Sequence, residues 1–472
     1  MTMPHVRPFG PGATKMKFTS IIIILCAALA LAGCTLIPQY ERPAAPVAAR
    51  FPGTQTTNAA PPVTDRSWRE IFPDACLRRL IEIALTNNLD LRTAILNVEQ
   101  SRAQYRITRS ASLPSVAGSG SSTRAEANGH TGNDWNANVG TTAYELDLFG
   151  RVRSLNQQAL AAFLATVEAQ HSVQLSLIAG IANAYFTLRE AQMQLELATQ
   201  TVASVQEAYA LNQATFAAGA STEQDLRTAE AQVETAKINV LEYQRRVAQS
   251  QHALEPLIGQ PLPADLPEPL PFADAQLVAE VPVGLPSDLL QRRPDILAAE
   301  HTLQAANANI GAARAQFFPA IKLTASIGAT SSQFDQLLSS SSGVWSFAPQ
   351  ITVPLFTGGQ NRANLDSARI SARIDVANYQ KTIQTAFREV ADALVAAHNY
   401  AAELEAQVVL INAQRVRFNL ATARYRQGDA AYLEVLSAQQ DLYSAQQSQL
   451  ATQFNKLASQ ISLYQALGGG WQ

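Results

Sequence analysis

The sequence predicts a mainly helical chain with a small β part, built as two copies of one unit, whose few strands can cross a membrane only if several chains combine. Three observations carry this expectation: an internal duplication, two very long proline-free stretches, and short segments of period-two hydrophobicity. The duplication is found from matching punctuation in the two halves. Leu113-Pro114 matches Phe318-Pro319 at an offset of 205 (319 − 114), and Phe149 matches Phe356 at 207 (356 − 149), with Gly150-Arg151 answered by Gly358 to Arg362. Gly219 matches Gly428, and Ile258-Gly259 matches Leu467-Gly468, both at 209 (428 − 219; 468 − 259). Four landmarks in one order at nearly one offset define a repeat.

Along the chain, the first feature is a leader. Lys15 and Lys17 precede an apolar run from Ile21 to Ala32, too short and too near the N-terminus for a spanning helix of about 20 residues, so it reads as a secretory signal. The residues before Met16 add nothing to that pattern, which makes Met16 a candidate start, to be decided by N-terminal analysis of the precursor. The leader ends Leu31-Ala32-Gly33-Cys34, similar to a bacterial lipobox, whose cysteine is acylated and becomes the mature N-terminus. Thr35 follows where an Asp would retain a lipoprotein in the inner membrane, which implies delivery to the outer one. Several acyl chains on Cys34 would hold the chain where a single one holds only marginally.

A proline-rich stretch, Ile37-Pro38-Gln39-Tyr40-Glu41-Arg42-Pro43-Ala44-Ala45-Pro46, then predicts an extended strap, because proline removes donors and disfavours helix. Helical patterning begins near Asp74 and runs to Ser112, with Leu77, Leu80, Ile81, Ala84 and Leu85 at three- and four-residue steps. Strand alternation is clearest in the second copy. Ile321, Leu323, Ala325, Ile327 and Ala329 alternate with Lys322, Thr324, Ser326 and Gly328; Trp345, Phe347, Pro349, Ile351, Val353 and Leu355 alternate again. Trp135, Ala137, Val139, Thr141 and Ala143 repeat the pattern more weakly in the first copy. About ten residues of period two is the span of a transmembrane strand, although two hairpins on a soluble surface would share the pattern. Residues 118–133 and 331–343, rich in Gly, Ser, Thr and Asn, suit solvent-facing tips. Four strands cannot close a barrel that needs at least about eight, so two, three or four chains must contribute if these strands span a membrane.

From Arg151 to Gly219 only Gly180 interrupts, and Gly359 to Gly428 contains no proline, so each stretch would form a helix on the order of 100 Å long. The last helix carries a seven-residue rhythm, Leu436, Tyr443, Leu450, Leu457 and Tyr464, with Phe454 and Ile461 between, the pattern of coiled-coil packing. The expected organisation is a signal peptide at 1–33, a lipidated strap at 34–66, a first repeat at 67–260 with its hairpin near 113–150, a linker at 261–285, and a second repeat at 286–472 with its hairpin near 319–357.

Composition narrows the function. With 35 Lys+Arg against 38 Asp+Glu and only 15% charged residues, the chain has no electrostatic footprint for nucleic acid. Cys26 and Cys34 fall in the leader region and Cys76 stands alone, so no disulfide framework is expected. Six scattered histidines without metal spacing, and no glycine-rich loop opening a helix, leave catalysis, a metal and a soluble cofactor unexpected.

The chain resembles the outer membrane factor, or TolC-like, family, in the lipoprotein branch typified by OprM and NodT of RND-type tripartite efflux systems. The marks are Cys34-Thr35-Leu36-Ile37-Pro38 with Tyr40 and Arg42-Pro43, then Trp68, Leu80-Ile81, Ala84-Leu85 and Asn88-Leu89-Asp90-Leu91-Arg92. Tyr144-Glu145-Leu146-Asp147-Leu148-Phe149-Gly150-Arg151, Asp288-Leu289-Leu290-Gln291-Arg292-Arg293-Pro294-Asp295-Ile296 and Pro354-Leu355-Phe356-Thr357-Gly358-Gly359 complete them. The resemblance implies a homotrimer in which three four-stranded contributions close a twelve-stranded barrel, continued across the periplasm by a helical barrel. It further implies an outer-membrane exit duct for small molecules, a periplasmic adaptor, an inner-membrane RND pump, and N-palmitoyl and S-diacylglycerol groups on Cys34.

The glycines at Gly219 and Gly428 lie at the ends of the long helices away from the strands, so they mark sharp reversals at the periplasmic tips. By resemblance, Ala218, Gly219, Ala220, Gln427 and Gly428 would dock the adaptor, and Arg424, Tyr425, Asp429, Leu433 and Glu434 would line the aperture. Family members often carry Asp where this chain has Ser437, so Asp429 or Glu434 is expected to supply any acidic ring. Glu145 and Asp147, beside Phe149-Gly150, are expected to form structural pairs. Two readings compete with the efflux duct: a type I protein-secretion duct, which shares the fold but usually lacks the lipobox, and a structural coiled-coil envelope lipoprotein, against which the strands near Trp345 argue.

Overall fold

The structure, a computed structural model, describes residues 35–48, 67–127, 129–275, 277 and 290–470. The signal peptide and Cys34 lie outside these residues, as do much of the expected strap and the middle of the expected linker. Both repeats share the order helix, strand, strand, long helix, helix, and the first adds two shorter helices ahead of it among the described residues. The first contains α1 (Trp68–Ile71), α2 (Ala75–Asn87), α3 (Leu89–Ser110), β1 (Ala117–Ala127), β2 (His130–Leu146), α4 (Arg151–Ala217) and α5 (Glu223–Ile258). The second contains α6 (Pro294–Ala315), β3 (Ala320–Ser331), β4 (Gly343–Thr352), α7 (Gln360–Arg426) and α8 (Tyr432–Ala466). The equivalent helices α4 and α7 are each 67 residues long, as expected where no proline interrupts the ladder.

The described residues form two compact units, and each draws on both repeats: those within 35–44, 99–166 and 299–379 in one, and those within 45–98, 167–298 and 380–470 in the other. The first unit holds the sheet, four antiparallel strands in the order β1-β2-β3-β4. Its register places Val139 opposite Ile327 and Ile327 opposite Trp345, with Thr141, Ala325 and Phe347 in the next row of that face. The alternate rows are polar, with Ser326 opposite Ser346 and Lys322 between Glu145 and Gln350. In β2 the alternation slips by one residue between Thr141 and Tyr144, where Ala143 takes a positive φ of 54° and its N–H donates to Thr324 Oγ1 at 3.1 Å. This bulge keeps Tyr144 opposite Leu323 and Glu145 opposite Lys322.

The second unit contains the best-buried core. Trp68, Phe72, Leu77, Leu80, Ile81, Ile178, Ile181, Leu254, Ile258 and Tyr464 are almost completely enclosed, and the Phe72 and Tyr464 rings meet edge to face at 5.4 Å. The helical stretch expected from Asp74 to Ser112 is split at Asn88, which ends α2 and caps α3 by accepting the Leu91 N–H at 2.8 Å. The Asn88 amide also donates to Leu257 O at 2.9 Å, so the break is where α2 and α3 are fastened to the end of α5. Asp74 caps α2 through the N–H groups of Cys76 and Leu77, and it also accepts the Tyr185 hydroxyl at 2.7 Å and Leu270 N–H at 3.2 Å. Burial and that carboxylate together push the Tyr185 hydroxyl well above the usual phenol range. In the Arg293-Pro294-Asp295 stretch the Arg293 guanidinium holds Asp295, Glu389 at 2.5 Å and Ala466 O at 2.9 Å, joining the start of α6 to α7 and the end of α8.

Candidate functional site: the membrane sheet and the helix tips

Two places in the fold carry functional geometry, one in each unit. In the sheet the apolar face is turned outward without cover: Trp345 is 78% and Ile327 69% exposed, and Phe347 and Ile351 are also exposed. An uncovered face of aromatic and β-branched residues backed by a polar face is the pattern of a strand wall between lipid and water. Among the described residues no helix is long and apolar enough to cross a membrane. At the base of the sheet Glu145 grips Arg151 through both carboxylate oxygens, at 2.7 and 2.6 Å. Asp147 accepts the N–H groups of Val152 and Arg153, at 3.0 and 2.8 Å, and pairs with the Arg153 guanidinium at 3.2 Å. Both acids therefore fasten the start of α4 to the end of β2, the structural pairing expected for them, and the hydrogen bonds to the Glu145 carboxylate, against the opposing effect of burial, leave Arg151 more basic than usual.

The tips are two copies of one turn. Gly219 and Gly428 adopt φ of +71° and +81°, so each helix ends in the left-handed conformation that glycine accepts without strain. Gly219 N–H reaches Phe216 O and Ala220 N–H reaches Thr215 O, both at 2.9 Å. Gly428 N–H to Tyr425 O at 3.0 Å and Asp429 N–H to Arg424 O at 2.9 Å reproduce this pair. Ala218, Gly219, Ala220, Gln427 and Gly428 thus sit at the two reversals. The return helices differ. Thr222 and Asp225 form a reciprocal capping box on α5, whereas Ala431 at the head of α8 offers no side-chain cap.

Around the second tip Arg424 binds Glu434 at 2.7 Å and the Asp429 carbonyl at 3.2 Å. The Asp429 carboxylate itself makes no hydrogen bond or ion pair among the described residues. Tyr425 turns the other way: its hydroxyl donates to Asn212 Oδ1 of α4 at 2.8 Å, and its ring lies 5.7 Å from that of Tyr432. Leu433 remains 67% exposed and joins neither group. Between α4, α7 and α8 lies a groove of about 530 Å³ whose lining includes Leu211, Phe418, Thr422, Tyr425, Tyr432 and Val435. Tyr432 is only 3% exposed, and burial pushes its hydroxyl up to about 12. Ser437 and Asp441 both receive Arg417, so the acid that pairs with this arginine stands four positions after Ser437.

Sequence reasoning missed Asn212, Tyr432 and Arg417. Asn212 is 0% exposed near the C-terminal end of α4, and a polar amide within the helix was the sign that it had a partner.

A sheet with one lipid-compatible face, joined to helices of this length, defines an outer-membrane duct component. The profile described as "Outer membrane efflux protein" matches residues 80–260 and 285–469. The "Antibiotic efflux pump outer membrane protein ArpC" of Pseudomonas putida is 46% identical over 464 residues, 96% of each chain. The "Cation efflux system protein CusC" of Escherichia coli O6:H1 is 39% identical over 456 residues, 96% of this chain and 99% of that one. Among solved structures, the open state of the Neisseria gonorrhoeae MtrE outer membrane channel aligns with a TM-score of 0.88 at 40% identity, covering 93% of this chain and 99% of that chain. The chain belongs to the outer membrane efflux protein family and is the outer-membrane channel component of an efflux pump.

Proposed function

We propose that three copies of this chain close one barrel and one helical conduit, forming a passive exit duct for small molecules that is opened at its periplasmic tips by an adaptor and an inner-membrane RND pump. The observation that carries this reading is the sheet. Its β1 and β4 edges each leave a row of backbone groups unpaired, which hydrocarbon does not tolerate, so neighbouring copies must supply the missing strands. Two chains would give eight strands and three twelve; the family resemblance favours three. Exposed apolar side chains along α7, among them Ile370, Ile374, Val416 and Leu420, support the same association in the helical part. Three acyl-bearing N-termini at Cys34 would tether the assembly beside its barrel.

At the tips, the reversals at Ala218-Gly219-Ala220 and Gln427-Gly428 are the surfaces offered to the adaptor. The Tyr425–Asn212 bond is a latch holding the second tip to α4. Arg424 neutralises Glu434, so Asp429 is the carboxylate left to face its copies in a ring, which would favour cations. The duct itself does not choose the cargo: relatives of similar coverage carry names for antibiotic and for cation efflux. Purified protein in planar bilayers, together with cross-linking and heat-modifiable migration, tests the proposal. Steady single-channel conductance from a cross-linked trimer supports it; a trimer that never conducts, even with the Tyr425–Asn212 bond removed, refutes it.

A further inference from the structure

The polar face of the sheet carries its charges at its two ends. Ile321, Leu323 and Ile327 of β3 share the uncovered apolar face, so Lys322, Thr324 and Ser326 stand on the other side. On that side Asp134 lies near the β1–β2 turn and accepts the Thr330 hydroxyl at 3.0 Å, while Glu145 and Lys322 are paired neighbours at the end that joins the helices. The β1 positions on the same side, Ser119, Ser121 and Thr123, are uncharged.

At the helix end the acids are already occupied. Arg151 takes both oxygens of Glu145, at 2.7 and 2.6 Å, and Arg153 pairs with Asp147. Lys322 is exposed and makes no hydrogen bond or ion pair among the described residues. It lines an open groove of about 450 Å³ shared with Thr352 and Asn361. Three cations, Lys322, Arg151 and Arg153, thus meet two carboxylates, and the surplus charge is Lys322. A lipid-headgroup anchor would stand on the outward face, which Ile321 and Leu323 occupy instead.

We propose that Lys322 is a selectivity-determining residue: one copy from each chain forms a ring of positive charge on the inner wall of the barrel, at its helix end, which draws anions and repels cations. The cargo class it favours is small anions. The inference rests on the closed three-chain barrel proposed above.

Twelve strands about 4.8 Å apart and tilted by about 40° give a circumference of about 75 Å and a radius of about 12 Å. A lysine reaching inward from that wall puts each ammonium about 8 Å from the axis. Three unit charges at about that distance, screened over about 10 Å in 0.1 M salt, enrich anions about threefold on the axis and deplete cations by a similar factor. At about 1 M, where screening acts within about 3 Å, the bias nearly vanishes. Asp134 lies about ten residues further along the sheet, roughly 30 Å away, so it does not cancel the ring.

Purified parent, Lys322→Gln, Lys322→Arg and Lys322→Glu are compared in planar bilayers, each also with Asp429→Asn so that the tip carboxylate does not mask the barrel. Heat-modifiable migration checks assembly, and the reversal potential in a KCl gradient gives the ratio of chloride to potassium permeability. At about 0.1 M salt, Lys322→Gln should lower that ratio by roughly threefold to tenfold, Lys322→Glu should lower it further, and Lys322→Arg should stay within about twofold of the parent. At about 1 M the variants should converge. Lys322→Thr, which repeats the neighbouring Thr324, carries the same expectation as Lys322→Gln if the glutamine variant does not assemble. Assembled, conducting Lys322→Gln protein with the parent's ratio in both backgrounds overturns the ring alone. A parent that assembles without conducting overturns the duct reading, and the ring with it.

Discussion

Replacing Tyr425 with Phe isolates the tip latch, because it removes one hydroxyl and keeps the ring that lies against Tyr432. The lost bond is the 2.8 Å donation to Asn212 Oδ1, and Asn212 is completely buried. Its amide nitrogen retains Ala208 O at 3.1 Å, so the substitution leaves one unsatisfied acceptor rather than a free side chain. Stranding a buried acceptor costs about 1–3 kcal/mol. All of that cost falls on the state in which α7 rests against α4, since Asn212 can find water once the helices part. The equilibrium between latched and released tip should therefore move by roughly 5- to 150-fold per chain. Planar-bilayer recordings should show higher conductance or open probability for Tyr425→Phe. Asn212→Ala should do the same, and the double variant should exceed neither by the full sum, because both remove one interaction. If correctly assembled Tyr425→Phe protein conducts like the parent, the bond is an ornament of helix packing and the latch reasoning fails.

Other expectations concern the membrane face, the core and alkaline pH. Trp345→Arg places a charge on the exposed face of the sheet and should cost about 2–4 kcal/mol if that residue lies near the bilayer midplane, seen as loss of heat-modifiable oligomer and of membrane-inserted protein. Gly328→Leu should be as damaging for a different reason, since a Cβ there would lie 2.1 Å from Ala137 O of the neighbouring strand. Asp74→Ala removes a helix cap and strands the buried Tyr185 hydroxyl, so thermal unfolding should report a loss of about 2–4 kcal/mol. Tyr432 has its hydroxyl raised from 10 to about 12, so the folded chain holds that proton more tightly than the unfolded one. Its contribution is complete below pH 10 and is lost as pH rises toward about 12. Tyr432→Phe should abolish that part of the alkaline transition while the tyrosinate absorbance of the remaining tyrosines still develops; an unchanged transition would exclude Tyr432 as its source.

Much of the fold was legible because it depends on local rules. The absence of proline from Arg151 to Gly219 and from Gly359 to Gly428 predicted two long helices, and the alternation around Ile327 and Trp345 predicted strands whose apolar residues share a face. Gly219 and Gly428 announced reversals because few other residues tolerate a positive φ there. The tip itself was only half legible. Arg424, Tyr425, Asp429, Leu433 and Glu434 all lie near the turn, but proximity in sequence did not say that Arg424 would take Glu434, or that Tyr425 would turn away to Asn212. That partner lies 213 positions away, and no periodicity within either helix encodes the pairing.

What the sequence by itself determined, then, are the properties set by neighbours along the chain: the duplication, the lengths of α4 and α7, the two faces of β3 and β4 and the helix reversals at Gly219 and Gly428; the tip expected over 118–133 is instead strand, with β1 running to Ala127 and β2 starting at His130. Tertiary structure alone decided which charges are spent and which remain. Glu434 is neutralised by Arg424 while the Asp429 carboxylate pairs with none of the described residues, and Glu300 is closed by strap residues more than 250 positions before it. The physical reason is that a carboxylate's role depends on which donors stand within about 3 Å of it, and those donors come from other elements that only folding brings together.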